Sequence, residues 1–207
     1  MMARYWIVGL VCVAFGVVTA SQMTPQPLTL ATSYELEQQR PISDFELTDQ
    51  YGKAFTKQRL LDKWSLIYIG YTSCPDICPT ATAKLSQATQ TLQQHAPFQT
   101  IFISVDPQRD TTTRLHDYMT FFASGFVAVT ASHKQLLPLT RELGFVYAMI
   151  GEGAAYQVDH SASYILISPA GKRVAVIKPR ADEPGRLPQI RNQELIADIQ
   201  KIIDKYS

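Results

Sequence analysis

Two cysteines close together carry the first chemical signal in this chain. They stand in Thr72-Ser73-Cys74-Pro75-Asp76-Ile77-Cys78-Pro79, a Cys-x3-Cys pair with a proline after each cysteine. Paired thiols can form a disulfide, exchange electrons, or ligate a soft metal as thiolates. A disulfide across so short a loop stabilises a fold by only about 2 kcal/mol on the chain-entropy account, so a purely structural staple explains little. Bonding the sulfurs also brings the Cβ atoms to about 3.8 Å, a geometry incompatible with both holding one metal. Proline disfavours helical φ/ψ in the residue before it, so Cys74 and Cys78 are both expected outside regular helix. Pro79 suits the first helical position. That puts Cys78 at a helix N-terminus, where the dipole and unpaired N–H groups favour a thiolate.

A metal needs a further donor, and the chain has four histidines. His95 sits among glutamines at a helix end, His116 lies in a helix beside Asp117, and His133 falls in the first turn of a capped helix. Each reads as a surface residue. His160 differs: Val158-Asp159-His160-Ser161 precedes the apolar segment Tyr164 to Ile167. Two thiolates and an imidazole suit Cu(I), and the same set can hold Cu(II) or Zn(II). No fourth cysteine or histidine is near in sequence, which argues against a closed structural zinc site. Asp159 is a candidate to orient His160. Asp106, in an Asp-Pro dipeptide, is a candidate loop cap.

These residues need elements to position them. Asp44 to Leu47 alternates as a short strand does, and Trp64 to Tyr71 and Phe98 to Val105 read as buried strands. Pro79 to Gln94 reads as a helix with Ala81, Leu85, Ala88 and Leu92 on one stripe. Thr111 to Phe122 follows as a second helix and Phe126 to Thr130 as a short strand. Ser132 and Gln135 form a capping-box pattern ahead of a third helix. Ser163 to Ser168 and Lys172 to Ile177 form a hairpin around Pro169-Ala170-Gly171. A last helix carries Leu195, Ile196, Ile199, Ile202 and Ile203. From Trp64 onward the order is β-α-β-α-β-α-β-β-α, an α/β plan with helices on both faces of a mixed central sheet and a closing hairpin and helix, that is, a thioredoxin-like fold. The cysteine loop then lies at the C-terminal edge of the sheet, where sites form in α/β folds. The start of the strand at Tyr164 faces it.

Arg4 precedes an apolar run from Tyr5 to Ala20 of about 16 residues, roughly 24 Å as a helix. Residues 1–22 are expected to be an N-terminal membrane anchor or an export signal cleaved near Val18-Thr19-Ala20, with the remainder outside the cytoplasm. The third cysteine, Cys12, lies inside that run. Residues 23–40, with Pro25, Pro27 and several glutamines, read as a linker. Residues 41–207 make the domain. The chain has 207 residues, 46% hydrophobic and 18% charged, consistent with a real core. A net charge of +1 gives no basic surface for nucleic acid.

Three motifs together resemble the Sco/SenC family of membrane-anchored copper proteins. They are Thr72 to Pro79, Ser104-Val105-Asp106-Pro107-Gln108-Arg109-Asp110-Thr111, and Val158-Asp159-His160-Ser161 leading through Tyr164 to Ser168-Pro169-Ala170-Gly171-Lys172. They occur in the family's order. The resemblance implies a thioredoxin fold with copper, Cu(I) and/or Cu(II), held by Cys74, Cys78 and His160. It implies a chaperone that delivers copper to, or prepares the cysteines of, the dinuclear copper site of cytochrome c oxidase. Its implied partners are the copper-receiving oxidase subunit, other copper chaperones or thioredoxin-like reductases, and the membrane. Its implied location is the periplasmic side of a bacterial inner membrane.

Two other readings compete. A thiol–disulfide oxidoreductase acting on exported proteins would use Cys74 and Cys78 as its redox pair and would not need His160. Such proteins usually carry a proline ahead of the strand facing their cysteines, and Gly151 to Ser168 contains none. A peroxidase of the peroxiredoxin kind would want a threonine and an arginine near one cysteine, and paired proline-flanked cysteines fit it poorly.

Overall fold

The computed structural model describes residues 28–74, 77–122, 125–181 and 188–206. The strands are β1 (Ser33–Glu35), β2 (Glu46–Asp49), β3 (Ala54–Thr56), β4 (Trp64–Gly70), β5 (Phe98–Ser104), β6 (Phe126–Thr130), β7 (Tyr147–Ile150), β8 (Gln157–His160), β9 (Tyr164–Ile167) and β10 (Arg173–Ile177). The helices are α1 (Ile77–Gln93), α2 (Thr112–Phe122), α3 (His133–Leu143) and α4 (Asn192–Tyr206). Eight strands make one mixed sheet in the order β1-β10-β9-β4-β5-β6-β2-β3, and β7 pairs with β8 as a separate antiparallel hairpin.

The centre of the sheet follows from composition. β4 and β5 run parallel and are buried at every position, as strands covered on both faces must be. Their side chains alternate between two core layers. Leu66, Tyr68 and Phe102 pack with Leu85, Ala88 and Leu92 of α1, Leu115 and Met119 of α2, and Leu195, Ile199 and Ile202 of α4. Ile67, Ile69, Ile101 and Ile103 pack on the other face with Leu136, Leu139 and Leu143 of α3. Gly144 ends α3 in the left-handed region, at φ 86°, and the next N–H, of Phe145, returns to Thr140 O at 2.8 Å. That turn sends the chain directly into β7.

Residues 23–40, expected as a linker, belong to the domain from residue 28 onward. Leu28 and Leu30 pack on the first core layer. The N–H groups of Ala31, Thr32 and Ser33 donate to the buried carboxylate of Asp198 in α4, at 2.9, 2.8 and 2.9 Å. β1 then pairs antiparallel with β10. Both partners lie near the C-terminus, so no local pattern announces them. The apolar run from Tyr5 to Ala20, and Cys12 with it, lies outside the described residues. Among the described residues no helix is long and apolar enough to cross a membrane.

Candidate metal centre

β4 delivers the cysteine loop. Tyr71, buried directly after the strand, accepts a hydrogen bond from the Cys74 N–H at 3.3 Å. Cys74 is half-buried and packs on the second core layer beside Tyr71. α1 begins at Ile77, so Cys78 lies within its first turn instead of just ahead of it. Pro79 is tolerated there because the first four helical N–H groups have no intrahelical acceptor anyway. The Cys78 side chain lies outside what the structure describes.

The loop is held from β5 and α2. Asp110, fully buried, accepts the Thr72 N–H at 2.9 Å, the Thr72 hydroxyl at 2.5 Å and the Ser104 hydroxyl at 2.6 Å. Arg114 donates from Nε to Thr72 Oγ1 at 2.7 Å and from Nη2 to Ser73 Oγ at 3.0 Å. The two residues before Cys74 are thus pinned by one carboxylate and one guanidinium.

His160 ends β8, opposite Tyr147 of β7. Its ring stands edge-on to Tyr71, with centroids 6.2 Å apart and an interplanar angle of 88°. Tyr71 therefore borders both Cys74 and His160, its carbonyl bonded to the Cys74 N–H and its ring facing His160. Nδ1 of His160 lies 3.0 Å from the Ser161 carbonyl oxygen. A carbonyl only accepts, so Nδ1 carries the proton in this arrangement and Nε2 is the nitrogen with the lone pair. Burial holds the His160 pKa below 6.5, outweighing the Ser161 bond and the nearby Asp159 charge, which both raise it. The imidazole is kept neutral, the form that ligates.

The carbonyl of Ser161, not Asp159, orients the ring. Asp159 is exposed and sits opposite Ala148, one residue out of register with His160, so it points to the other face of the hairpin. Asp106 does cap its loop, its carbonyl accepting the N–H of Asp110 at 2.9 Å. Its buried carboxylate also accepts from Arg109 Nε and the Tyr156 hydroxyl. The other histidines lie apart from the site: His95 pairs with Asp204 at 2.8 Å, His116 packs edge-on to Tyr51, and His133 meets the Tyr147 hydroxyl at 3.0 Å. Among the described residues, no group of three or more His, Cys, Asp or Glu could hold a metal ion. Sequence reasoning overlooked Tyr71, Asp110, Arg114 and Tyr156. Asp110 lies inside a motif singled out for its resemblance, which was the available signal.

A mixed sheet with helices on both faces, a cysteine loop at its edge and a histidine facing Tyr71, just ahead of that loop, define a thioredoxin-like domain with soft donors. The SCO1/SenC family profile matches residues 34–194. The chain belongs to the SCO1/SenC family. It is 38% identical over 133 residues to the SCO2-like protein RC0895 of Rickettsia conorii, a match covering 62% of this chain and 65% of that relative's length. Arabidopsis thaliana ScoI, solved with copper bound, superposes with a TM-score of 0.71 at 30% identity, over 81% of this chain and 100% of that one. Bradyrhizobium japonicum ScoI, also with copper bound, gives a TM-score of 0.65 at 29% identity, over 78% and 99%.

Proposed function

We propose that this protein holds a copper ion between Cys74, Cys78 and His160 and passes it to the dinuclear copper site of cytochrome c oxidase. The observation that carries the reading is that Tyr71 accepts the Cys74 N–H and faces the His160 ring, in a chain of the SCO1/SenC family whose relatives from Arabidopsis and Bradyrhizobium are solved with copper bound. Two thiolates and a neutral imidazole make a soft donor set for Cu(I) that also accommodates Cu(II). The protein's part is to keep His160 neutral with Nε2 outward, and to hold Thr72 and Ser73 so that the loop is set before the cargo arrives. A groove of about 310 Å³ opens beside His160 between Ala81, Tyr164 and Ile190. It leaves that ligand reachable by an acceptor protein.

The run from Tyr5 to Ala20 is assigned as a membrane anchor, with the domain at the outer face, next to an oxidase subunit whose copper site faces the same compartment. Reduction of that subunit's cysteines by the Cys74–Cys78 pair is the competing role.

The test is transfer. Copper-loaded protein is mixed with the metal-free soluble domain of the receiving subunit, and the visible spectrum of the dinuclear centre is followed. The reading expects the centre to fill from the wild type and not from Cys74→Ser. Equal filling from both would overturn it. Reduction of the acceptor disulfide by metal-free protein, unaffected by His160→Ala, would assign the protein to thiol exchange instead.

A further inference from the structure

Arg109 bridges the element that carries His160 and the element that carries the cysteine loop. Its Nε bonds to the buried carboxylate of Asp106, and its Nη1 donates to the backbone carbonyl of Tyr156 at 2.9 Å. The guanidinium lies 3.8 Å from the centroid of the Tyr156 ring and 5.5 Å from that of Tyr71. Nη2 is buried without a hydrogen-bond partner among the described residues. The tie to both rings is a cation–π contact, which a planar delocalised cation makes well. The Tyr156 hydroxyl closes the arrangement by donating to the same Asp106 carboxylate.

Tyr156 immediately precedes β8, the strand that ends in His160, and the hairpin lies outside the main sheet. No backbone ladder fixes its distance from β4. Its position rests on side chains: Val158 in the core, Tyr147 against His133, and the Arg109 bridge. The bridge reaches Tyr71, whose carbonyl accepts the Cys74 N–H and whose ring faces His160.

We propose that Arg109 is a positioning residue for the metal centre, setting the approach of His160 to the cysteine loop by joining the β7–β8 hairpin to Tyr71. The proposal rests on the three-ligand reading above. Its consequence depends on oxidation state. Two thiolates can hold Cu(I) in a nearly linear pair, so a displaced imidazole is felt modestly. Cu(II) prefers more ligands in a tetragonal arrangement and loses much more when the imidazole is misplaced. Arg109 thus controls how far the protein discriminates between the two states of its cargo.

The test compares Cu(I) and Cu(II) affinities, with the Cu(II) electron paramagnetic resonance spectrum, for wild type, Arg109→Gln, Arg109→Lys, Tyr156→Leu and His160→Ala. Arg109→Gln leaves the Asp106 carboxylate without its guanidinium partner and can unfold. Arg109→Lys keeps a charge there, and Tyr156→Leu keeps the Arg109–Asp106 pair. The proposal expects Cu(II) affinity at least tenfold lower in Arg109→Lys and Tyr156→Leu, Cu(I) affinity within about threefold, and altered nitrogen coupling in the spectrum. Wild-type Cu(II) affinity and spectrum in folded Arg109→Lys and Tyr156→Leu would overturn it, as would equal losses for both oxidation states. Wild-type affinities in His160→Ala would overturn the ligand reading itself, a distinct result.

Discussion

Replacing Asp110 with alanine strips the support from the cysteine loop. The carboxylate accepts three hydrogen bonds, from the Thr72 N–H, the Thr72 hydroxyl and the Ser104 hydroxyl, and none of its side chain is exposed. Bonds to a charged acceptor contribute about 1.5–3 kcal/mol each, but the losses do not simply add. Both hydroxyls can rotate to other acceptors, whereas the Thr72 N–H cannot. The net cost of Asp110→Ala is therefore about 3–5 kcal/mol, close to that of breaking a buried charged network. At roughly 2–4 °C per kcal/mol for a domain of this size, Tm falls on the order of 10 °C. Asp110→Asn is milder, about 1–2 kcal/mol. Its amide oxygen can still accept the Thr72 N–H, while its NH2 faces Thr72 Oγ1, which already accepts from Arg114 at 2.7 Å. Thermal unfolding with a parallel Cu(I) titration measures both consequences. The expected order is wild type, Asn, Ala in Tm and in copper affinity alike. An alanine variant within about 3 °C of wild type, or one that binds copper as tightly, would refute the reasoning that Asp110 holds the loop.

Two further predictions separate scaffold from site. Asp198→Ala removes the acceptor for three N–H groups of residues 31–33; it should cost about 3–5 kcal/mol and expose β1 to protease, with Cu(I) affinity within about twofold of wild type by titration. For His160, burial depresses the folded-state pKa below 6.5. The unfolded chain then takes up a proton before the native state does as pH falls below that value. The stabilisation is fully present above 6.5 and lost as pH drops through the lower folded value. Urea unfolding of the metal-free protein at pH 7.5 and pH 5 should show a larger loss for wild type than for His160→Gln. An equal loss in the two would contradict the depressed value.

The central sheet was legible because its strands are continuous apolar runs. WSLIYIG and FQTIFIS could only be buried strands, and both sit where the pattern put them. The helices were legible from their stripes. β2 appears two residues later than its alternation implied, at Glu46–Asp49, and the Ser132–Gln135 capping pattern closes side chain to side chain at 2.7 Å, with no bond between the Ser132 hydroxyl and a backbone N–H. β1 was not legible, since three residues beside a distant Asp198 carry no period of their own. β7 was not legible either: Met149 and Ile150 are exposed, and Val146 before them is more so, so the strand lacks an inside–outside alternation. Cysteine spacing and the Asp159-His160-Ser161 motif made the ligand candidates visible. The residues that support them, Tyr71, Arg109, Asp110, Arg114 and Tyr156, act through contacts between loops far apart in sequence, which spacing does not encode.

Titration of the reduced protein with Cu(I) and with Cu(II) against a competing chelator, for wild type, Cys74→Ser, Cys78→Ser and His160→Ala, tests the account most directly. It predicts one copper per chain in the wild type. Each cysteine variant should lose at least tenfold in Cu(I) affinity, and His160→Ala should lose Cu(II) binding almost entirely with a smaller loss for Cu(I). A His160→Ala protein that binds both ions as tightly as the wild type would contradict the three-ligand centre.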